Sequence, residues 1–330
     1  MADFKAYRIF NEDGKVASRY VDLALEDLDG GDVVIKVAYS SVNFKDALAA
    51  TGAGKIIRRF PCVGGIDLSG TVVQSGNARF KSGDAVIATS YDIGVAHDGG
   101  YAQFARIPAE WVVPMPKGLD PFEAMALGTA GFTAALAVER MEHDGLKPAN
   151  GPVIVTGATG GVGSIAIDIL SGAGYQVVAL TGKEKERDYL HSLGAKEVML
   201  RGGLDLGKIK PLDKTTWAGA VDNLGGDVLS WLASTMQIGG TLACIGLAAS
   251  HSFSTTVMPF ILRGVSLLGI DSVNAPMPVR EKVWKRLASD LKPRRLRDIV
   301  TTVNLADLPA VFRKILDKEM RGRAVVRIAG

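Results

Sequence analysis

The sequence predicts an α/β protein of two domains, a partly antiparallel, barrel-like β domain and a doubly wound parallel sheet. Three observations lead there. Short β-rich runs broken by Gly, Pro and Asp fill residues 4 to about 125; a glycine-rich turn at 156–163 lies between an apolar run and a helical one; and βα units then alternate to about residue 270.

The composition sets the frame. With 330 residues, 47% apolar and 22% charged, the chain has the balance of an ordinary globular protein and the length of about two domains. Its 38 basic residues nearly offset 35 acidic ones, which gives no argument for nucleic-acid binding. The N-terminal Met1-Ala2-Asp3-Phe4-Lys5-Ala6 lacks the pattern of a signal peptide, and no apolar run approaches bilayer length, so a cytoplasmic location and no membrane partner are expected. Cys62 and Cys244, each among apolar residues and without a CxxC partner, read as reduced, buried thiols.

In the first region the runs 33–37, 70–73 and 84–88 are Val- and Ile-rich strands. The texture changes near Pro121, where 122–127 and 132–138 carry apolar residues at helical spacing. The run 151–156 has the continuous apolar character of a strand buried on both faces. Val162, Ile165, Ala166, Ile169 and Leu170 then make a helix that Gly172-Ala-Gly174 ends. Strands follow at 175–180, 197–200, 218–222 and 241–246, with helices at 186–193 and 227–236. Beyond 265–270 the rhythm stops; a basic helix at 281–291 leads to a last strand at 323–328, and this tail is expected to return to the first domain. The run Lys292-Pro-Arg-Arg-Leu-Arg297 reads as a solvated helix end, with a site for substrate phosphates as the other reading.

The strongest motif is Thr156-Gly-Ala-Thr-Gly-Gly-Val-Gly163, in the strand-to-helix context that a dinucleotide fingerprint needs, although its spacing is GxxGGxG. Gly157 permits the turn, Gly160 and Gly161 allow backbone amides to approach a pyrophosphate, and Gly163 allows close helix packing; Thr159 and Val162 complete the candidate phosphate site. The end of the second strand selects the nicotinamide. An acidic residue there would hold an NAD ribose, whereas Thr181-Gly182-Lys183, with Arg201 after the next strand, suits a 2′-phosphate and favours NADPH. Glu184 would argue the other way if the strand ended one or two residues later.

In order along the chain, Ser41-Val-Asn-Phe-Lys-Asp46, Gly99-Gly-Tyr-Ala102, Gly128-Thr-Ala-Gly-Phe-Thr-Ala134 and the glycine motif resemble the quinone oxidoreductase branch of the medium-chain dehydrogenase/reductase superfamily, over essentially the whole chain. The blocks Trp217–Asp222, 257–265 and 268–272 resemble more closely the bacterial YhdH/YhfP group, which includes acrylyl-CoA reductases. The resemblance implies a GroES-like β domain (1–124 and 272–330) around a Rossmann domain (125–271) that binds NADPH, and a homodimer formed at the apolar edge run 265–270. Two cysteines cannot make the zinc sites of the alcohol dehydrogenases in this superfamily, and Val63-Gly-Gly-Ile-Asp67 stands where those relatives carry a His-Glu pair, so no metal is expected. His97, His143, His191 and His251 read as surface or packing residues.

By the same resemblance, Asn43, Phe44, Thr129 and Thr133 border the nicotinamide end, with Leu247 and Ser272 close to the cofactor. Asn43 is a candidate hydrogen-bond donor to a developing enolate, or else a loop-forming residue. Related enzymes often have a tyrosine at position 44; Phe44 has no proton to give, which leaves water, Tyr91 or Tyr101 as donor, while Lys45 and Asp46 suggest an ion pair. The expected activity is hydride transfer from NADPH to a short enoyl-CoA such as acrylyl-CoA. Reduction of a quinone or enone is the enzyme alternative, and NADPH binding without turnover is the alternative of a different class.

Overall fold

The computed structural model describes residues 3–328, which form two compact units. Among the described residues, unit 1 comprises 3–129, 273–288 and 300–328, and unit 2 comprises 130–272 and 289–299.

Unit 1 begins with β1 (Phe4–Glu12), β2 (Lys15–Leu23) and β3 (Val33–Val42), followed by α1 (Phe44–Thr51). Next come β4 (Cys62–Val63), β5 (Asp67–Ser75), β6 (Ala85–Thr89), β7 (Phe104–Ile107) and β8 (Val112–Pro114). The expected strands at 33–37, 70–73 and 84–88 fall within β3, β5 and β6, the first two longer than read and the last beginning at Ala85. In β1, Phe4 and Ala6 on one face and Tyr7 and Ile9 on the other are buried, while Lys5 and Glu12 are exposed, so the strand is covered on both faces over much of its length.

The chain then enters α2 (Pro121–His143), read from sequence as two helices and here one run broken at Gly128, whose φ of 50° and ψ of −155° are not helical. By length and composition α2 could cross a membrane, but 78% of its apolar window is buried within the protein. That apolarity is core packing.

Unit 2 continues with β9 (Val153–Thr156), α3 (Gly161–Gly172), β10 (Val177–Thr181), α4 (Arg187–Ser192) and β11 (Glu197–Leu200). Then follow β12 (Trp217–Asp222), α5 (Gly226–Thr235), β13 (Met236–Cys244), α6 (Met258–Arg263) and β14 (Ser266–Gly269). The strands form one parallel sheet in the order β11-β10-β9-β12-β13-β14. From β9 the chain winds one way to β10 and β11 and the other way to β12, so the switch point lies between β9 and β12, where ligands bind outside the carboxyl ends. Residues 153–156 and 177–180 are all buried, as strands covered on both faces must be. β14 is an edge strand.

The return to unit 1 comprises α7 (Met277–Leu287), which ends four residues earlier than read, then β15 (Val300–Asn304), α9 (Leu308–Leu316) and β16 (Arg323–Arg327). Before β15, α8 (Leu296–Ile299) lies in unit 2. β16 pairs antiparallel with β3, placing the tail in the seven-stranded sheet β15-β16-β3-β5-β6-β8, whose seventh strand, β7, also pairs with β3. The segment 289–299, read from sequence with the β domain, packs in unit 2 because the Asp168 carboxylate on α3 accepts the backbone N–H groups of Arg294 (3.0 Å) and Arg295 (2.7 Å). The Arg294 guanidinium also donates to Gly172 O at 2.7 Å. This basic run is docked on α3 by its backbone as well as solvated by its side chains.

Candidate active site and dinucleotide crevice

In unit 2 the glycine motif forms the tight turn from β9 into α3. Gly157 sits at φ +57°, and a Cβ on Gly163 would lie 2.5 Å from Gly157 O and 2.8 Å from Ala158 Cα, so only hydrogen fits there. Gly160 N donates to Gly157 O at 3.0 Å and Ser164 N to Gly160 O at 2.9 Å, which fixes the turn and leaves the first N–H groups of α3 at its open end. Unpaired N–H groups at the start of a helix favour an anion.

The other wall of the switch point is set by Thr156, Asp222 and Asn223, to which the sequence reading assigned no bonding role. Thr156 Oγ1 donates to buried Asp222 Oδ1 (2.7 Å), Asn223 Nδ2 donates to Thr156 O (2.7 Å), and Asp222 Oδ2 accepts Gly225 N (2.8 Å). Burial pushes the Asp222 carboxyl up, and the Thr156 hydroxyl and the backbone amides oppose the shift. Ala248 N bonds to Asn223 O, so the loop after β13 lies beside this turn and Leu247 is 66% exposed on it. Thr133 and Ser272, 139 residues apart, are buried together, with Thr133 Oγ1 donating to Ser272 Oγ at 2.8 Å.

At the carboxyl end of β10, Lys183 N donates to Thr181 Oγ1 (3.0 Å). The parallel pairing of Thr181 with Leu200 brings the next residues together: Arg201 Nη2 lies 3.8 Å from where a Gly182 Cβ would be. Thr181, Gly182, Lys183 and Arg201 are therefore one group, with no carboxylate on Arg201 among the described residues. Glu184 begins a 3-10 turn and pairs with Arg187 at 3.8 Å.

In unit 1 the residues after β3 close around a buried carboxylate. Asp67 Oδ2 accepts Ser41 Oγ (2.6 Å), Asn43 Nδ2 (2.8 Å) and Thr129 N (2.9 Å), and Oδ1 accepts Thr129 Oγ1 (2.5 Å). Arg323 Nη2 lies 3.7 Å from Asp67 Oδ2, both side chains being at most 3% exposed. The same guanidinium donates to Ser41 Oγ, Asn43 Oδ1, Val42 O and Ala126 O. The break at Gly128 releases Thr129 N–H from the helix ladder for Asp67, and a Cβ on Gly128 would stand 2.6 Å from both Arg323 Nη2 and Asp67 Oδ2.

The Asn43 side chain is taken up by bonds within unit 1. Its two amide hydrogens go to Asp67 Oδ2 and Asp46 Oδ2 (3.2 Å) and its oxygen accepts from Arg323, so no donor remains for an enolate. Asn43 is the loop-forming residue that caps α1, its backbone N–H donating to Asp46 Oδ2 at 2.8 Å. Asp46 forms no ion pair with Lys45; it is buried and accepts Ile66 N at 3.0 Å. Burial and the neighbouring Asp67 charge push its carboxyl up to about 7.

Neither tyrosine presents a spare proton. Tyr101 is buried with its hydroxyl on Ser41 O (3.1 Å), and burial together with the Asp46 and Asp67 charges drives it well above the usual phenol range. The Tyr91 hydroxyl donates to Ala275 O (3.1 Å) and accepts from Arg280 Nε (3.3 Å). Arg280, which no local pattern marks, is fully buried, bonds Thr89 O, Thr89 Oγ1 and Val273 O, and lies over the Tyr91 ring at 4.4 Å. It secures Ser90 and Tyr91, consecutive residues at φ +64° and +50°, and Ser90 Oγ is 3.0 Å from Thr129 Oγ1. Phe44, at the first position of α1, is 51% exposed.

Comparison with known proteins agrees with this architecture. Residues 29–117 match the alcohol dehydrogenase GroES-like domain and residues 161–289 the zinc-binding dehydrogenase family. The chain is similar to the acrylyl-CoA reductase AcuI of Ruegeria pomeroyi, 46% identical over 96% of each chain. Among solved structures it is similar to Bacillus subtilis YhfP with NAD bound (TM-score 0.97, 49% identity, 99% of this chain and 100% of that one) and to Escherichia coli YhdH with bound NADPH (0.95, 44%, 98% and 100%). The chain belongs to the medium-chain dehydrogenase/reductase superfamily, within its quinone oxidoreductase-like group with YhfP and YhdH. Both architectural expectations, the GroES-like domain and the Rossmann-type parallel sheet, hold.

Proposed function

We propose that this oxidoreductase uses NADPH to reduce a carbon–carbon double bond conjugated to a carbonyl, with a short enoyl-CoA such as acrylyl-CoA as substrate and propanoyl-CoA as product. The observation that carries the cofactor choice is the group formed by Thr181, Gly182, Lys183 and Arg201, where a hydroxyl, a bare backbone and two cations suit a 2′-phosphate. The substrate choice is supported by the similarity to AcuI over nearly the whole chain.

NADPH supplies the hydride, which adds to the β carbon of the alkene. The chain's own residues bind and orient. Thr159, Gly160, Gly161, Val162 and Gly163 hold the pyrophosphate, and Thr133, Leu247 and Ser272 border the cofactor. Thr129, fixed through both its donors by Asp67, and Phe44 belong to the catalytic side. The α carbon takes its proton from water, because Phe44 has none and the Tyr91, Tyr101 and Thr129 hydroxyls are each committed to another acceptor. We further propose a cytoplasmic homodimer formed along β14, the edge strand on which Leu267 is 39% exposed.

Incubation of the chain with acrylyl-CoA and NADPH deuterated at the transferable position tests this. The expected product is propanoyl-CoA with the label on the β carbon, and in heavy water a second label on the α carbon. Turnover of a quinone or a free enone, with acrylyl-CoA untouched, would overturn the thioester assignment. Binding of NADPH with no acceptor turned over would leave a binding protein.

A further inference from the structure

The carboxyl end of β10 carries two opposed signals. Arg201 and Lys183 favour a 2′-phosphate, yet Glu184 follows Lys183 at once, and an acidic side chain in this region is what holds an unphosphorylated ribose. Glu184 is only two residues from Gly182, so their Cα atoms are within about 7 Å, and Arg201 lies against Gly182. The Glu184 side chain is 74% exposed and nothing buries it in one position. The cations around it in sequence and space include Arg187, three residues on, and Arg201, which lies beside Gly182.

In the structure it faces Arg187, whose Nε is 3.8 Å from Glu184 Oε1. Arg187 is itself held, since its Nη1 donates to Val198 O on β11 at 2.9 Å. The guanidinium is thus pinned to the neighbouring strand on the α4 side, and the carboxylate is drawn there.

We propose that Arg187 is a specificity-determining residue for the adenosine end of the cofactor: by holding Glu184 it keeps that carboxylate from neutralising Arg201 and from repelling a 2′-phosphate. The inference rests on the NADPH reading above and deepens it. It fits the bound cofactors of two similar structures, NAD in YhfP and NADPH in YhdH, since small local charges then decide between two ligands that one fold accepts. The pair is exposed, so its influence is modest, about two- to five-fold in relative affinity.

The test is calorimetric titration of the whole chain with adenosine 2′,5′-bisphosphate and with AMP, which isolates the adenosine end and needs no turnover. The wild-type protein should bind the bisphosphate more tightly. Arg187→Gln should lower the ratio of the two affinities by about two- to five-fold, and Glu184→Gln/Arg187→Gln, which lacks the same bond to Val198, should restore it. A ratio unchanged in Arg187→Gln, or a fall that persists in the double variant, contradicts this inference alone. A wild-type chain that does not prefer the bisphosphate contradicts the NADPH reading and this inference with it.

Discussion

Thr129 gives both of its donors to Asp67, the hydroxyl to Oδ1 at 2.5 Å and the backbone N–H to Oδ2 at 2.9 Å. The second bond exists only because Gly128 breaks α2 one residue earlier, and the carboxylate that receives both is held by Ser41, Asn43 and Arg323. The fold therefore puts a buried, charge-assisted network behind the residues assigned to the catalytic side.

Removing the hydroxyl should be felt in stability. Thr129→Val leaves Asp67 Oδ1 without its partner in a buried setting and should cost about 1–3 kcal/mol, read as a lower urea midpoint with an unchanged slope. Thr129→Ser keeps the donor and should stay close to wild type.

Gly128 should tolerate no side chain. At φ +50°, with Arg323 and Asp67 each 2.6 Å from a Cβ, Gly128→Ala combines backbone strain with a clash against an ion pair. A loss larger than the ~1 kcal/mol of an ordinary glycine effect is expected, measurable in the same urea titration.

Asp46 predicts a pH dependence. Its folded value is about 7 against an ordinary 3.8, so from about pH 4 to 7 the folded chain keeps a proton that the unfolded chain has released. Below that window the group costs nothing; through it, stability falls as pH rises, and above about 7 the loss levels off. Asp46→Asn mimics the protonated form, so its stability relative to wild type should climb between pH 4 and 7 and then stay flat. A pH-independent difference would contradict the assignment.

Arg201 should act on one cofactor only. Arg201→Gln should weaken adenosine 2′,5′-bisphosphate by roughly tenfold, the value of one charge-assisted contact, while AMP binding stays unchanged. Equal weakening of both would place Arg201 outside the phosphate group.

The two halves of the chain differed in legibility. The crevice elements could be read because the signals are local: the apolar run before Gly157, the helical spacing from Val162 to Leu170, and the absence of an acidic residue at 181–183. The unit 1 network could not, because its partners meet across the fold; Arg323 is 256 residues from Asp67 and Arg280 is 189 from Tyr91. Asn43 shows the cost of that distance. Its residue type suggested a donor, and only the positions of Asp46 and Asp67 reveal that both its amide hydrogens are used. Gly128 lies in the gap between the apolar stretches 122–127 and 132–138, so a break there was legible, but the bond from Thr129 to Asp67 that it allows was not.

The most direct test of the central claim is the loss of nicotinamide absorbance when the purified chain and NADPH meet acrylyl-CoA, crotonyl-CoA, a simple quinone and an enone in parallel, each with and without a chelator. Acrylyl-CoA should be reduced with the highest kcat/KM, and the chelator should change nothing. Turnover confined to the quinone or enone, or abolished by the chelator, would contradict it.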